Sequence, residues 1–149
     1  MSFSGGCQCG AVRFTAERLG NSSICHCRMC QKATGGFFGP YVDVHGVVWT
    51  NGPPAYYQSS EAVQRGFCAK CGTPLTFESK GQAGVMIGAL DDPEAAAPTT
   101  QLIFPEKVSY VDRLGELPEW RNAKTGETAP EVFVGVVSRQ RPIGSGGDA

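Results

Sequence analysis

Seven cysteines fall in three tight groups: Cys7-Gln8-Cys9, Cys25-His26-Cys27-Arg28-Met29-Cys30 and Cys68-Ala69-Lys70-Cys71. A deprotonated thiol is the soft anionic ligand that Zn²⁺ prefers, at about 2.3 Å, and a tetrahedral ion wants four donors. A C-x-C-x-x-C run offers three of them from one short loop. Seven thiols cannot fill two four-sulfur sites. Joining the outer pairs makes one such site from Cys7, Cys9, Cys68 and Cys71. Cys25, Cys27 and Cys30 then form a second centre with one open position. A full set of four is closed and structural, whereas a set of three leaves room for a ligand and for chemistry. A second grouping, one outer pair with two thiols of the triplet, satisfies the same spacings.

Other uses of sulfur fit less well. Cysteine packs as a small hydrophobe, but packing does not call for three groups at ligand spacing. A disulfide framework goes with an even count and a secreted chain. Here the count is odd, and Met1-Ser2-Phe3-Ser4-Gly5 lacks the charged and apolar regions of a signal peptide. A redox C-x-x-C opens a helix in a βαβ setting, whereas Gly66, Gly72 and Pro74 surround Cys68 and Cys71. The expected cofactor is therefore zinc at two sites, one structural and four-thiolate, one labile and three-thiolate. The expected location is the cytoplasm, where thiols stay reduced.

Loops of this kind need a rigid frame. The 149 residues suffice for one core, expected over residues 1–120, with 121–149 as a partly disordered extension. Twenty glycines and ten prolines make a turn-rich chain, and 41% apolar content gives a modest core that metals can supplement. Formal net charge is −1. Seven thiolates on two divalent ions would take it to about −4. No basic cluster and no apolar run of about 20 residues appear, so neither nucleic acid nor a membrane is expected as a partner.

Alternating or apolar runs predict a mainly β chain with few short helical turns. Strands are expected over 11–16, 22–25, 37–44, 47–50, 55–59, 63–67, 75–79, 85–90, 101–104 and 107–111. Leu19-Gly20-Asn21 and Lys80-Gly81 are expected to turn. One helical turn is expected over 31–34, stopped by Gly35-Gly36 and aiming its N–H groups at the metal loop. Another is expected over 91–95, with Pro93 near its start. Gly5, Gly6, Gly10 and Gly72 are expected to let the knuckles turn with positive φ. His26, between two ligands on extended backbone, faces away from the metal and into the wall. His45, Lys32 and Arg65 are expected to be solvated, although Lys32 or Arg65 could hold a substrate carboxylate. Residues 131–137 are apolar enough to dock, and 143–149 are expected to be disordered.

Three ordered motifs carry a resemblance: Gly6-Cys7-Gln8-Cys9-Gly10, then Cys25 to Cys30, then Arg65-Gly66-Phe67-Cys68-Ala69-Lys70-Cys71-Gly72-Thr73-Pro74-Leu75. Over roughly residues 3 to 112 the chain resembles the glutathione-dependent formaldehyde-activating enzyme family, to which the centromere protein V-like zinc domain is also similar. The resemblance implies a β-tent, antiparallel sheets folded over zinc and stapled by zinc knuckles. It implies a structural zinc on Cys7, Cys9, Cys68 and Cys71, and the zinc associated with activity on Cys25, Cys27 and Cys30. It implies addition of glutathione to formaldehyde to give S-hydroxymethylglutathione, a carbon–sulfur lyase reaction in reverse. Gln31-Lys32 stands where Arg-Lys is common in the family, and Tyr110 where Trp is common.

Three thiolates leave a zinc ion with a net charge near −1, which weakens it as a Lewis acid and suits it to holding a fourth, substrate thiolate. A small thiol such as glutathione is the expected partner. Two other readings remain open at this stage: a zinc-stapled binding module without catalysis, and a thiol or metal sensor using the triplet.

Overall fold

The computed structural model describes residues 2–128, which form two compact units, one up to Lys107 and one from Val108 onward. The first unit is mainly β. Its elements are β1 (Phe3–Gly6), β2 (Arg13–Ala16), β3 (Arg18–Cys25), α1 (Arg28–Thr34), β4 (Gly39–His45), β5 (Val48–Asn51), β6 (Ala55–Ser60), β7 (Val63–Phe67), β8 (Pro74–Ser79), β9 (Gln82–Met86) and β10 (Thr100–Leu102). They form a small sheet in the order β1-β2-β5 and a larger one in the order β10-β3-β4-β9-β8-β7-β6. All pairings are antiparallel except β10 with β3, which is parallel.

Alternation divides the larger sheet into two faces. Val42 pairs with Val85 across β4 and β9, and with Val44 they join Val12, just before β2, and Phe14 and Ala16 of the small sheet in one buried cluster. Phe14 is fully buried and meets Trp49 edge-on at 5.6 Å. Each such side chain contributes about 1.5–3 kcal/mol by leaving water. Asp91 ties the layers at one edge. Its carboxylate accepts from Arg13 Nη1 and Nη2 at 2.8 and 2.5 Å and from the Ser4 hydroxyl at 2.6 Å. Neighbouring positions point the other way. Tyr41 adjoins Val42, and Phe77, paired with Arg65, adjoins the partner of Val85. Tyr41 and Phe77 stack with centroids 5.3 Å apart and planes at 7°.

Several boundaries differ from the sequence expectation. Leu19-Gly20-Asn21 does not turn. β3 runs through it, and a register shift between Leu19 and Ser22 absorbs the irregularity against β4. The helix starts at Arg28, not Gln31, because Cys27 serves as its N-cap. The strand expected over 85–90 ends at Met86, and Ile87–Ala89 form a 3₁₀ turn. The strand expected over 101–104 ends at Leu102, where Ile103 adopts φ 52° and Phe104–Glu106 form another 3₁₀ turn. No strand forms over 107–111: its alternation finds no partner edge, and Val111–Glu116 coil into a 3₁₀ turn in the second unit. Gly5 and Gly6 lie in β1 rather than in a positive-φ turn, and close approach explains them. A Cβ on Gly5 would sit 2.4 Å from the Ala89 carbonyl oxygen, and one on Gly6 2.4 Å from that of Val12. Lys80 and Gly81 do turn, with φ 49° and 79°, the two positive values of a tight hairpin. The turn near Asp91 is present as Pro93–Ala96, capped by Asp92.

The second unit also holds a loop closed on Asn122, whose amide oxygen accepts from the N–H groups of Lys124 and Thr125 at 2.9 and 3.2 Å. Among the described residues no helix is long and apolar enough to cross a membrane. The expectations for 131–137 and 143–149 lie outside the described residues.

Candidate metal centres

Two similar knuckles bring four cysteines together. In the first, Gly10 N–H donates to the Cys7 carbonyl at 3.1 Å, and Cys7 N–H to that of Val12 at 2.9 Å. In the second, Gly72 N–H donates to the Cys68 carbonyl at 2.8 Å, and Cys68 N–H to that of Thr73 at 2.9 Å. Gly10 and Gly72 take φ 76° and 75°, the left-handed values the sequence predicts. Each knuckle follows one strand and precedes the next, so the frame that aligns β1 and β2 with β7 and β8 also aligns the sulfurs. All four Sγ atoms lie within 4.8 Å of one another. Sulfurs about 2.3 Å from a common ion span tetrahedral edges of about 3.8 Å. Cys7 and Cys9 are 3.5 Å apart, and Cys9 and Cys68 3.8 Å. The set fits a tetrahedral ion.

Proton affinities in this cluster diverge. Burial raises the Cys7 thiol, but Val12 N–H, 3.2 Å from its sulfur, and the neighbouring thiols lower it overall. Burial likewise raises Cys71, yet the Thr73 hydroxyl, 3.1 Å away, and backbone N–H groups bring it down to about 6. Ala11 N–H pulls Cys9 down, but burial and the adjacent sulfurs push it up to about 11. Four thiols this close share protons because they cannot all ionise side by side. A divalent cation removes that conflict.

The other three cysteines converge separately, again with all Sγ atoms within 4.8 Å. Cys25 ends β3, Cys27 caps α1, and Cys30 is the third residue of α1. The Cys27 sulfur stands where Ser or Asp usually caps and accepts from Cys30 N–H at 3.3 Å. Gly39 makes room: a Cβ there would lie 2.9 Å from Cys30 Cβ and 3.4 Å from its sulfur. Gly39→Ala is expected to push α1 off β4, to destabilise by about 1–3 kcal/mol, and to release metal from the triplet first; chelator titration followed by thermal melting checks this. Burial pushes Cys25 up to about 12. Burial also raises Cys27, but the N–H groups of Cys30 and Met29 and the two neighbouring thiols leave it lowered overall. Once mild chelation has cleared the triplet, iodoacetamide is therefore expected to label Cys27 before Cys25. The Cys27 rate should level off below the ordinary thiol value of about 8.5 while the Cys25 rate is still rising; peptide mapping across a pH series reads both.

The triplet loop is braced from behind. His26 is fully buried and faces the wall as predicted, with Nε2 2.9 Å from Gln101 Oε1 and its ring edge-on to Phe38 and Phe104. Gln31 is buried, and its Nε2 donates to the His26 carbonyl at 2.6 Å and to that of Glu106 at 3.3 Å. Arg28 N–H donates to Glu106 Oε2 at 2.9 Å. His45 and Lys32 are exposed, as predicted.

Arg65 is the residue the sequence reading misplaced. It is 9% exposed, not solvated. Its Nη2 lies 3.5 Å from Cys30 Sγ, its Nε donates to Ser59 Oγ at 3.3 Å, and its guanidinium carbon sits 5.1 Å from the Phe77 ring centroid. A signal was present: alternation in β7 puts Arg65 on the side of Val63 and Phe67, and an inward cation needs an anion. A cavity of about 180 Å³ adjoins it, lined also by Ala33, Tyr57, Phe67, Pro74 and Met86. A second depression, of about 410 Å³, lies among Gln58, Gln64, Glu78 and Lys80 and contains no cysteine.

A profile of the family described as glutathione-dependent formaldehyde-activating enzyme matches residues 2–106. A crystal structure of a Rhodobacter sphaeroides protein superposes with a TM-score of 0.53 at 21% sequence identity, covering 66% of this chain and 98% of that one. At that identity the likeness concerns the fold. Comparison with curated proteins gives no match.

Proposed function

Because this chain belongs to the glutathione-dependent formaldehyde-activating enzyme family, we propose that it is a zinc-dependent carbon–sulfur enzyme that joins a small thiol, glutathione in the first instance, to formaldehyde. Cys7, Cys9, Cys68 and Cys71 would hold a structural zinc, and Cys25, Cys27 and Cys30 a zinc at which the thiol binds. One observation carries this division: four sulfurs meet in one cluster and three in the other, and among the described residues no fourth Cys, His, Asp or Glu joins the three. When bound there, zinc supplies a soft cationic centre that favours the thiolate form of an incoming thiol.

The chain's own residues set up the rest. Cys27 and Cys30 are fixed by the first turn of α1, and Cys25 by the β3 ladder. Gln31 and Glu106 clamp the loop that carries the three sulfurs. In the proposed reaction the thiol sulfur bonds to the formaldehyde carbon. The carbonyl π pair moves to oxygen, and that oxygen takes the proton the thiol gave up. The product is a hydroxymethyl thioether, S-hydroxymethylglutathione when the thiol is glutathione.

Calorimetric titration with glutathione and S-methylglutathione at two pH values tests the site. Glutathione affinity should rise toward about tenfold per pH unit below the free thiol value of about 8.5, and the S-methyl analogue should bind at least about tenfold more weakly. Equal binding of the two, or none of either, would favour a non-catalytic zinc-stapled binding module.

A further inference from the structure

We propose that Arg65 is the charge-balancing residue of the three-cysteine centre, a buried cation that lets this site take an anionic fourth ligand where a neutral one would otherwise be preferred. The inference rests on the reading that a divalent metal occupies the triplet. Three thiolates and such an ion carry a net charge of about −1. Adding a fourth thiolate makes it about −2, and in a partly dry site that added repulsion is felt strongly. A guanidinium stays cationic in proteins, and here it lies against one of the three sulfurs.

Two further observations support the assignment. First, the guanidinium is fixed from several sides: Ser59 Oγ on Nε, the Phe77 ring under the plane, and Cys30 Sγ near Nη2. Such anchoring holds the charge where the metal site is. Second, Nη1 is buried and has no hydrogen-bond partner among the described residues. A buried donor without a partner is destabilising, and a salt bridge within the sheet would have used it. Ala33, Tyr57, Phe67, Pro74, Thr76 and Met86 line the adjoining cavity, and no acidic side chain is among its lining residues. An anion arriving at the triplet is the partner this environment lacks. The same residue also weakens electron donation by Cys30, because a sulfur that accepts a charge-assisted hydrogen bond gives less of its charge to a metal.

The test uses the full chain loaded with Co²⁺, whose visible absorption reports a change of ligand at an open sulfur site. Thiocyanate, an anion, and imidazole, a neutral donor, are titrated separately. Arg65→Gln is expected to lower thiocyanate affinity by about tenfold or more while imidazole affinity stays within about twofold, and Arg65→Lys should keep most of the anion affinity. Parallel losses for both ligands would mean that Arg65 only supports the fold and would overturn the proposal, as would unchanged thiocyanate binding in Arg65→Gln. Should Arg65→Gln not fold, Arg65→Lys decides alone: more than about a threefold fall in thiocyanate affinity, with imidazole unchanged, refutes the charge role. Arg65-dependent thiocyanate binding without any thiol binding would sustain this inference and remove the thiol enzyme reading. Thiol binding that is equal in wild type and Arg65→Gln would do the reverse.

Discussion

Cys68→Ser is expected to leave the protein unfolded or aggregated. Cys68 is 1% exposed, and its sulfur lies 3.8 Å from that of Cys9, 59 residues earlier in the chain. The four-sulfur cluster thus joins the knuckle after β1 to the knuckle after β7. Beyond the sulfurs, Gln8 N–H donates to Thr73 Oγ1 at 3.0 Å and Cys9 N–H bonds the Cys71 sulfur across the two knuckles. A structural zinc contributes roughly 10–16 kcal/mol of apparent binding free energy, against a total stability of about 5–15 kcal/mol for a typical domain. Losing one ligand of four therefore puts the whole fold at risk. Circular dichroism and retained zinc after purification read the result. A soluble Cys68→Ser protein with a wild-type spectrum would show that the four-cysteine cluster is not structural.

Cys27→Ser should behave in the opposite way. Serine is a preferred helix N-cap, so its hydroxyl can take over the Cys30 N–H that the Cys27 sulfur now accepts. α1, the β3–β4 ladder and the buried cluster keep their contacts. The expected fall in melting temperature is only a few degrees, the equivalent of about 1 kcal/mol. Metal at the triplet should be lost or bound about a hundredfold more weakly, since a serine hydroxyl is a far poorer zinc ligand than a thiolate, and formation of the thiol adduct should fall with it. Melting curves, metal analysis and adduct detection by NMR separate the two effects. If Cys27→Ser and Cys68→Ser melt alike, the division into a structural and a working site is wrong.

Much of this arrangement was legible in the residue types. Valence and spacing favour grouping the seven cysteines as four and three, with one outer pair plus two triplet thiols left open, and in space they gather as four and three. Most strands were legible because one face packs: Val42 and Val44 alternate with Tyr41, Asp43 and His45 and, with Val85 on the paired strand, find an apolar partner layer. The failures share a physical cause, which is that pairing and capping depend on residues far away. Lys107-Val108-Ser109-Tyr110-Val111 alternates well enough, but a strand without a neighbouring edge leaves its backbone groups unpaired. Gly20-Asn21 reads as a turn, yet the ladder between β3 and β4 persists around a bulge. Cys27 hid the helix start because thiolates are rare caps. Arg65 reads as solvated by its charge, although alternation places it on the Val63 and Phe67 side of β7, and the packing of β7 beside β8 brings that charge against Cys30.

Cadmium substitution followed by cadmium NMR tests the division of labour between the two clusters most directly. The metal's chemical shift responds strongly to the number of sulfur ligands. Two resonances are expected for the full chain, one from the four-cysteine cluster and one from the triplet. Glutathione should leave the first in place and carry the second downfield toward it, as a fourth sulfur joins, whereas S-methylglutathione should move neither. A single resonance, or a second one that glutathione does not shift, would contradict an open three-thiolate site that takes up a thiol.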